Sequence, residues 1–280
     1  MIVELARDDL PRHAYAYTGG VPWPSAPPTR CVVFVHGAMH DHSVWTLLAR
    51  WFAHHGHAAL AVDLPGHGRS DGPPLPSVEA LGAWLLAVLD ALHVARASIA
   101  GHSMGSLVAL EAAAQAPTRV GALALVGTAW PMKVSPALLA TARTEPARAI
   151  AMVDAFSHSS LAAKPSYPGP GAWLRGANRA LMQRMQDIAA PWGNLFEHDF
   201  RVCDAYARGA TAAAAVTCPA HLVLGQRDVM TPPRAAQALA QALGQGSGRE
   251  PSTIHVAAGH ALMQEAPDEV LRALRLAFDA

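Results

Sequence analysis

The chain has 280 residues, 51% of them hydrophobic, with 21 basic and 21 acidic side chains and no formal net charge. That length can bury a large core in one domain, or in one domain with an insertion, and the charge balance supplies no long-range basic field, so nucleic acid is not an expected partner. No run of about eighteen apolar residues free of charge, Gly or Pro occurs, so no membrane span is expected.

The opening residues, MIVELARDDLPRH, contain no apolar stretch of signal-peptide length and carry acids early, so a cytoplasmic protein is expected. HAYAYTGG reads as a possible strand and VPWPSAPPT as a turn or loop. CVVFVHG (31–37) is a continuous apolar run ended by Gly, the pattern of a strand buried on both faces. A helical pattern starts at Ser43 and ends near Gly56, and HAALAVDLPGHG is a second buried strand entering a Gly-rich loop. Residues 77–93 place Leu81, Trp84, Leu85, Val88 and Leu89 on one helical stripe. ASIAG is a short strand, 104–116 an Ala-rich helix stopped by Pro117, and VGALALVGT another strand. AHLVLGQRD and STIHVAAGH are the last strands, and 267–279 is a closing amphipathic helix. Apolar strands alternating with helices predict a mostly parallel sheet covered on both faces, an α/β architecture.

Residues 131–215 break that rhythm. They hold scattered aromatics (Phe156, Trp173, Trp192, Phe196), several Met, the segment KPSYPGPGAW and no buried strand. They read as a helical lid inserted into a core made of 1–130 and 216–280, since pliable Met and aromatic side chains suit an adaptable pocket wall. Cys31, Cys203 and Cys218 are odd in number and widely spaced, which suggests neither a disulfide framework nor a zinc clip.

IAGHSMGSL (99–107) sets Ser103 between Gly101 and Gly105, where a strand ends and a helix begins. Small residues two positions to each side allow a sharp turn, the G-x-S-x-G elbow, which lifts the hydroxyl above the carboxyl end of the sheet. A hydroxyl needs a base to become a nucleophile, and the base needs an orienting carboxylate. Asp228 in LVLGQRDVMTPP and His260 in IHVAAGHALMQEAP follow two later strands in the expected order, Ser, acid, His. A tetrahedral intermediate also needs two oxyanion donors. The backbone N–H of Met104 is one candidate. The other lies in the loop after CVVFVHG: Ala38 first, Met39 second, with Gly37 turning the loop and His36 tethering it.

With these pieces, VFVHGAMHDHSVW, AVDLPGHGRSDGP, IAGHSMGSLVAL, LVLGQRDVMTPP and GHALMQEAP in order over about 30–275, the chain resembles the α/β-hydrolase fold superfamily, in its lid-bearing branch of serine esterases and lactonases. The resemblance implies about eight strands, helices on both faces, a cap after the sixth strand and no cofactor. It implies a nucleophile at Ser103, an acid at Asp228, a base at His260 and oxyanion donors at Ala38 and Met104. It also makes Asp63, His67 and Ser70 of DLPGHGRS structural. The expected reaction is cleavage of small carboxylic esters or lactones through an acyl-enzyme. Carbon–carbon hydrolysis, acyl transfer, perhydrolysis and a small-molecule receptor with little turnover are the rivals.

Departures from relatives narrow this. Ser at the elbow differs from the Asp of haloalkane dehalogenases and epoxide hydrolases. HGAM in place of HGGG disfavours bulky tertiary-alcohol esters. Ala261 stands where ring-cleavage hydrolases usually carry Trp, and Ser106 where relatives often have a second Gly. His40-Asp41-His42 and His54, His55 and His57 have ligand-like spacings, but the first lacks the further ligands of a dinuclear site and the others end a helix, where cationic side chains and a turn are expected, so no metal is expected. Met39, His40, Trp130, Arg179 and Met230 are candidate pocket residues. Arg175, Asn178 and Arg179 are candidates for an anionic substrate group, and His102 is expected to pack away from Ser103.

Overall fold

A computed structural model describes residues 1–159 and 173–279. The Pro-rich segment KPSYPGPG, expected within the insertion, lies outside the described residues. In chain order the strands are β1 (Ile2–Glu4), β2 (His13–Tyr17), β3 (Cys31–Val35), β4 (Ala58–Val62), β5 (Ala97–His102), β6 (Val120–Val126), β7 (Ala220–Gly225) and β8 (Ser252–Val256). Helix α1 (Thr46–His54) follows β3, α2 (Val78–Ala91) follows β4 and α3 (Met104–Gln115) follows β5. Between β6 and β7 come α4 (Pro136–Thr144), α5 (Pro146–Ser157), α6 (Leu174–Ile188), α7 (Leu195–Ala205) and α8 (Gly209–Ala215). Helix α9 (Gln237–Ser247) follows β7; α10 (Leu262–Glu265) and α11 (Pro267–Phe278) follow β8.

The strands form one sheet in the order β1-β2-β4-β3-β5-β6-β7-β8. β1 with β2 and β2 with β4 are antiparallel; every other pair is parallel. Side-chain alternation sorts the two layers. In β3 all five residues are buried: Val33 and Val35 join the core under α2, α3 and α9, while Val32 and Phe34 join the core under α1 and α11. Trp84 anchors the first layer and Phe52 the second, both fully buried. Each contributes about 1.5–3 kcal/mol by leaving water. Local signals set the helix ends: the Ser77 side chain accepts from Ala80 N–H at the start of α2, and α3 ends just before Pro117. The chain is thus an α/β protein with an eight-stranded, mostly parallel sheet, as the sequence predicts. β1 carries no sequence signal because three residues alternating exposed, buried, exposed form no apolar run.

Helices α4 to α7 build a separate apolar cluster, which includes Ile150, Val153, Met182, Met185 and Phe196. α8 packs on α3 and α9 inside the flanking layer, although it precedes the boundary expected at 215. Among the described residues no helix is long and apolar enough to cross a membrane.

Candidate active site

The elbow takes its shape from what surrounds the two glycines. A Cβ on Gly101 would meet the Gly105 carbonyl, and one on Gly105 would meet the carbonyls of Val35 and His36. With both positions bare, β5 and α3 close on each other and Ser103 is held at φ 52°, ψ −120°. A non-glycine residue in such a region costs of order 1–3 kcal/mol and persists where its surroundings impose it. The Ser103 N–H donates to the Val126 carbonyl at 3.0 Å, which ties the strained residue to β6.

The carboxyl ends of β7 and β8 supply the partners. His260 Nε2 lies 2.9 Å from Ser103 Oγ, and His260 Nδ1 lies 2.8 Å from Asp228 Oδ2. A carboxylate only accepts, so Nδ1 carries the proton and Nε2 offers its lone pair to the serine hydroxyl. Asp228 is nearly sealed, yet donors surround it: Met230 N–H at 2.8 Å, Thr231 N–H at 2.9 Å and the Thr231 hydroxyl at 2.7 Å. Burial pushes its carboxyl up, but the His260 charge and these hydrogen bonds outweigh burial and hold it below the ordinary carboxylate value. Thr231 Oγ1 also sits 3.0 Å from both His260 Nδ1 and the Gly127 carbonyl, so it braces Asp228 and His260 together. In the sequence the only signal of Thr231 is its proximity to Asp228.

His102 holds His260 from behind. Its Nε2–H donates to the His260 carbonyl at 2.9 Å, and its ring is buried. Burial, followed by the charge of His260, depresses its pKa well below the ordinary imidazole value, so it stays neutral. The expected packing role therefore includes a direct bond to the backbone of His260, and part of the residue borders the cavity.

The loop after β3 approaches from the opposite side. A Cβ on Gly37 would lie 3.1 Å from Ser103 Cβ, so the loop and Ser103 pack closely. His36 Nδ1–H donates to the Gly37 carbonyl at 2.8 Å, and Nε2 accepts from Leu64 N–H at 3.0 Å. Met39 has φ 61° and is wholly buried, and its N–H donates to Asp199 Oδ2 on α7 at 2.9 Å. That N–H is engaged, which leaves Ala38 as the loop's candidate donor. Met104 is the first residue of α3, where an N–H has no intrahelical partner and the helix dipole favours negative charge.

Ser103 and His260 open onto a cavity of about 490 Å³, with Ala38, His40, Met132, Phe156, Phe200 and Met230 among its mostly apolar walls. Cys203 also lines it, but burial, then the nearby Asp199 charge, pushes its thiol up, so it is no rival nucleophile. A larger groove of about 550 Å³ runs between α1, α6 and α10 and contains none of Ser103, Asp228 or His260.

The candidate pocket residues divide. His40 and Met230 border the cavity, and His40 Nε2–H donates to Asn178 Oδ1 at 2.8 Å. Met39 does not: its side chain belongs to the apolar cluster of the insertion. Trp130 packs on Gly209 of α8 and against the core under α2, α3 and α9, not on the cavity. Arg179 is exposed on the outer face of α6; the same turn of helix points Asn178 inward instead. Arg175 pairs with Asp154 at 3.5 Å, so neither arginine is presented to a bound anion.

Asp63 accepts from His42 N–H at 2.7 Å, His42 Nδ1–H at 2.8 Å and Arg69 N–H at 2.9 Å, while Ser70 links its carbonyl to Tyr15. Asp41, His42 and Asp63 bring ligand atoms within 4.8 Å of one another. The donor set fits hydrogen bonding better than a cation: His42 Nδ1 spends its proton on Asp63, and Asp41 is taken by Ser43 and Arg184.

A sequence profile of the alpha/beta hydrolase family matches residues 32–273. A pimeloyl-[acyl-carrier protein] methyl ester esterase of Chromobacterium violaceum is 31% identical over 219 residues, covering 75% of this chain and 78% of that protein. The dihydrolipoyllysine-residue acetyltransferase component of the acetoin cleaving system of Pseudomonas putida is 41% identical over 103 residues, 35% of this chain and 26% of that protein. The chain spans well under half the length of the first curated relatives it matches. Among solved structures, the enol-lactonase of Burkholderia xenovorans LB400 superposes with TM-score 0.72 at 22% identity, covering 94% of this chain and 95% of that one, a likeness of fold.

Proposed function

Because the chain belongs to the alpha/beta hydrolase family, we propose that it is a serine hydrolase cleaving small carboxylic esters or lactones through an acyl-enzyme. The observation that carries this reading is the unbroken relay Asp228–His260–Ser103 at 2.8 and 2.9 Å, opening onto an apolar cavity. The likeness to a methyl ester esterase over most of both chains supports the ester reading.

Ser103 Oγ attacks the substrate carbonyl as its proton passes to His260 Nε2, and the carbonyl electrons move onto oxygen. The N–H groups of Ala38 and Met104 receive that oxyanion. Collapse breaks the bond to the leaving alcohol, which takes the proton from His260; in a lactone the alcohol stays tethered to the acyl group. Water then gives a proton to His260 and adds to the acyl carbon. Ser103 departs, recovering the proton. Asp228 keeps the imidazole in the required tautomer and balances its transient charge.

Helices α4 to α7 serve as the lid over this cavity. The three cysteines, all buried and unpaired, are compatible with a reducing, cytoplasmic setting.

A fluorophosphonate probe is expected to label the wild type at Ser103. Ser103→Ala should lose labelling and turnover of p-nitrophenyl acetate and butyrate while keeping its far-UV spectrum and Tm. Full activity in that variant would remove the mechanism. Product analysis with ester, peroxide and β-diketone substrates separates ester cleavage from perhydrolysis and carbon–carbon hydrolysis.

A further inference from the structure

The orientation of one backbone N–H depends on two peptide planes, and in the loop after β3 the two are held from different parts of the molecule. The Gly37–Ala38 plane carries the Ala38 N–H. Its carbonyl end accepts from His36 Nδ1–H at 2.8 Å and His40 N–H at 3.3 Å, both in the loop that follows β3. The next plane, Ala38–Met39, is held at its N–H end by Asp199 Oδ2 at 2.9 Å, from α7 of the insertion. Peptide planes are rigid, so fixing both leaves Ala38 little freedom to turn its N–H away.

Asp199 is itself held. His67 Nε2–H donates to the same Oδ2 at 2.9 Å, and His67 Nδ1–H donates to the Pro65 carbonyl at 3.1 Å. Both residues are 2% exposed. The contact between Met39 and the insertion is apolar as well as polar, because the Met39 side chain is embedded in the cluster formed by α4 to α7. The strained backbone at Met39 therefore rests on the insertion through both its N–H and its side chain. Helix α7 also contributes Phe200 and Cys203 to the cavity wall, so one helix both walls the cavity and braces the loop.

We propose that Asp199 is a positioning residue for oxyanion binding: through the Met39 N–H it aims the Ala38 N–H at the developing charge, so the insertion completes the catalytic apparatus as well as roofing it. The inference rests on the reading of Ser103 as nucleophile and Ala38 as donor.

The test compares wild type with Asp199→Asn, which keeps the side-chain size and loses the charge that gathers both donors. With p-nitrophenyl butyrate, kcat is expected to fall about 10- to 100-fold, the scale set by a misplaced catalytic group, while KM shifts far less. An alkyl trifluoromethyl ketone forms a tetrahedral adduct when Ser103 Oγ adds to its carbonyl and the proton passes to His260. Its inhibition constant should weaken by the same factor as kcat/KM, a correlation that simple loss of stability does not produce. Hydrogen exchange should quicken in peptides covering 37–41 and stay unchanged in β5 and β6. Wild-type kcat together with wild-type exchange at 37–41 would overturn the proposal.

If Asp199→Asn does not fold, His67→Gln loosens the carboxylate from its other side. A smaller loss of kcat, roughly three- to tenfold on the same scale, with the same faster exchange at 37–41, supports the proposal, and no change in either overturns it. Should the wild type itself resist fluorophosphonate and leave esters uncut, the reading of Ser103 fails. The exchange measurement then still judges whether Asp199 holds the loop.

Discussion

The sheet with its flanking helices and the insertion between β6 and β7 are held together by different means. The sheet is bonded by apolar area: β3, β5 and β6 are almost wholly buried, and two continuous cores cover their faces. The insertion has its own smaller cluster, into which Met39 of the scaffold inserts, and apart from that contact and the packing of α7 and α8 on the sheet layer it meets the scaffold through a few directional polar links. Asp199 joins Met39 and His67; Asn178 joins His40; Arg184 joins Asp41; and Glu265 of α10 receives the Ser159 N–H at 2.7 Å and its hydroxyl. Area is cooperative and non-directional, whereas a buried hydrogen bond is directional and costly to leave half-made. The scaffold therefore tolerates small shifts, and the insertion is registered at a handful of points. Several of these points touch the loops that carry Ala38 and His260.

The largest expected effect lies on the scaffold side. Asp228→Asn leaves the shape of the site but lets the imidazole adopt the wrong tautomer, and a loss of about 10⁴-fold in kcat is expected on the scale of serine-hydrolase acids. Steady-state kinetics on p-nitrophenyl butyrate checks this. A loss below tenfold would mean that the carboxylate does not orient the base.

A pair of variants sharpens the comparison itself. Trp84→Ala removes a fully buried aromatic from the larger core and should cost about 3–5 kcal/mol in global unfolding. Asn178→Ala strips the partner from His40 Nε2–H and breaks a 3.1 Å bond to Asp154, at about 1–3 kcal/mol for the groups left unsatisfied. Urea unfolding should show the first as a shift of the whole transition. The second should appear as faster exchange in α5 and α6 ahead of the sheet. Equal loosening of sheet and insertion in Asn178→Ala would erase the distinction drawn between them.

The same contrast explains what was legible in the sequence. β3, β5, β6 and the G-x-S-x-G elbow are written in contiguous residues whose local sterics admit few alternatives, and Asp228 and His260 follow strands where such sheets build sites. The polar links were not legible. Asp199 lies in EHDFRVCD, with no motif around it, and finds Met39 at a separation of 160 residues only after the insertion has folded. Arg179 shows the same limit: what a side chain faces in the insertion depends on helix packing that no local period encodes. On α6 the neighbours Asn178 and Arg179 look equally polar in sequence, yet one is buried against His40 and the other exposed.

The smallest effect concerns pH, and it acts in opposite directions on different buried histidines. Burial is the largest influence on His36, His40 and His102 and depresses all three, aided at His36 by His67 and at His102 by His260. They stay neutral in the fold while the unfolded imidazole takes up a proton near about pH 6.5. Below that value the unfolded chain binds more protons, so the contribution of these groups to stability falls with acid. His67 behaves inversely. Burial pushes its imidazole down, but the Asp199 charge and hydrogen bond outweigh burial and raise it above the ordinary value. Its contribution is fully present below about pH 6.5 and is lost as pH rises through the raised value in the fold. Acid should therefore loosen the end of β5 and the loop after β3 with its His40–Asn178 link, whereas a rise in pH through the raised His67 value should loosen the contact of α7 with the Met39 loop. Hydrogen exchange between pH 5 and pH 9, corrected for intrinsic rates, reads both limbs. His67→Gln should flatten the alkaline limb and leave the acid limb in place. An unchanged alkaline limb in that variant would mean that the His67–Asp199 contact does not fasten the insertion to the scaffold.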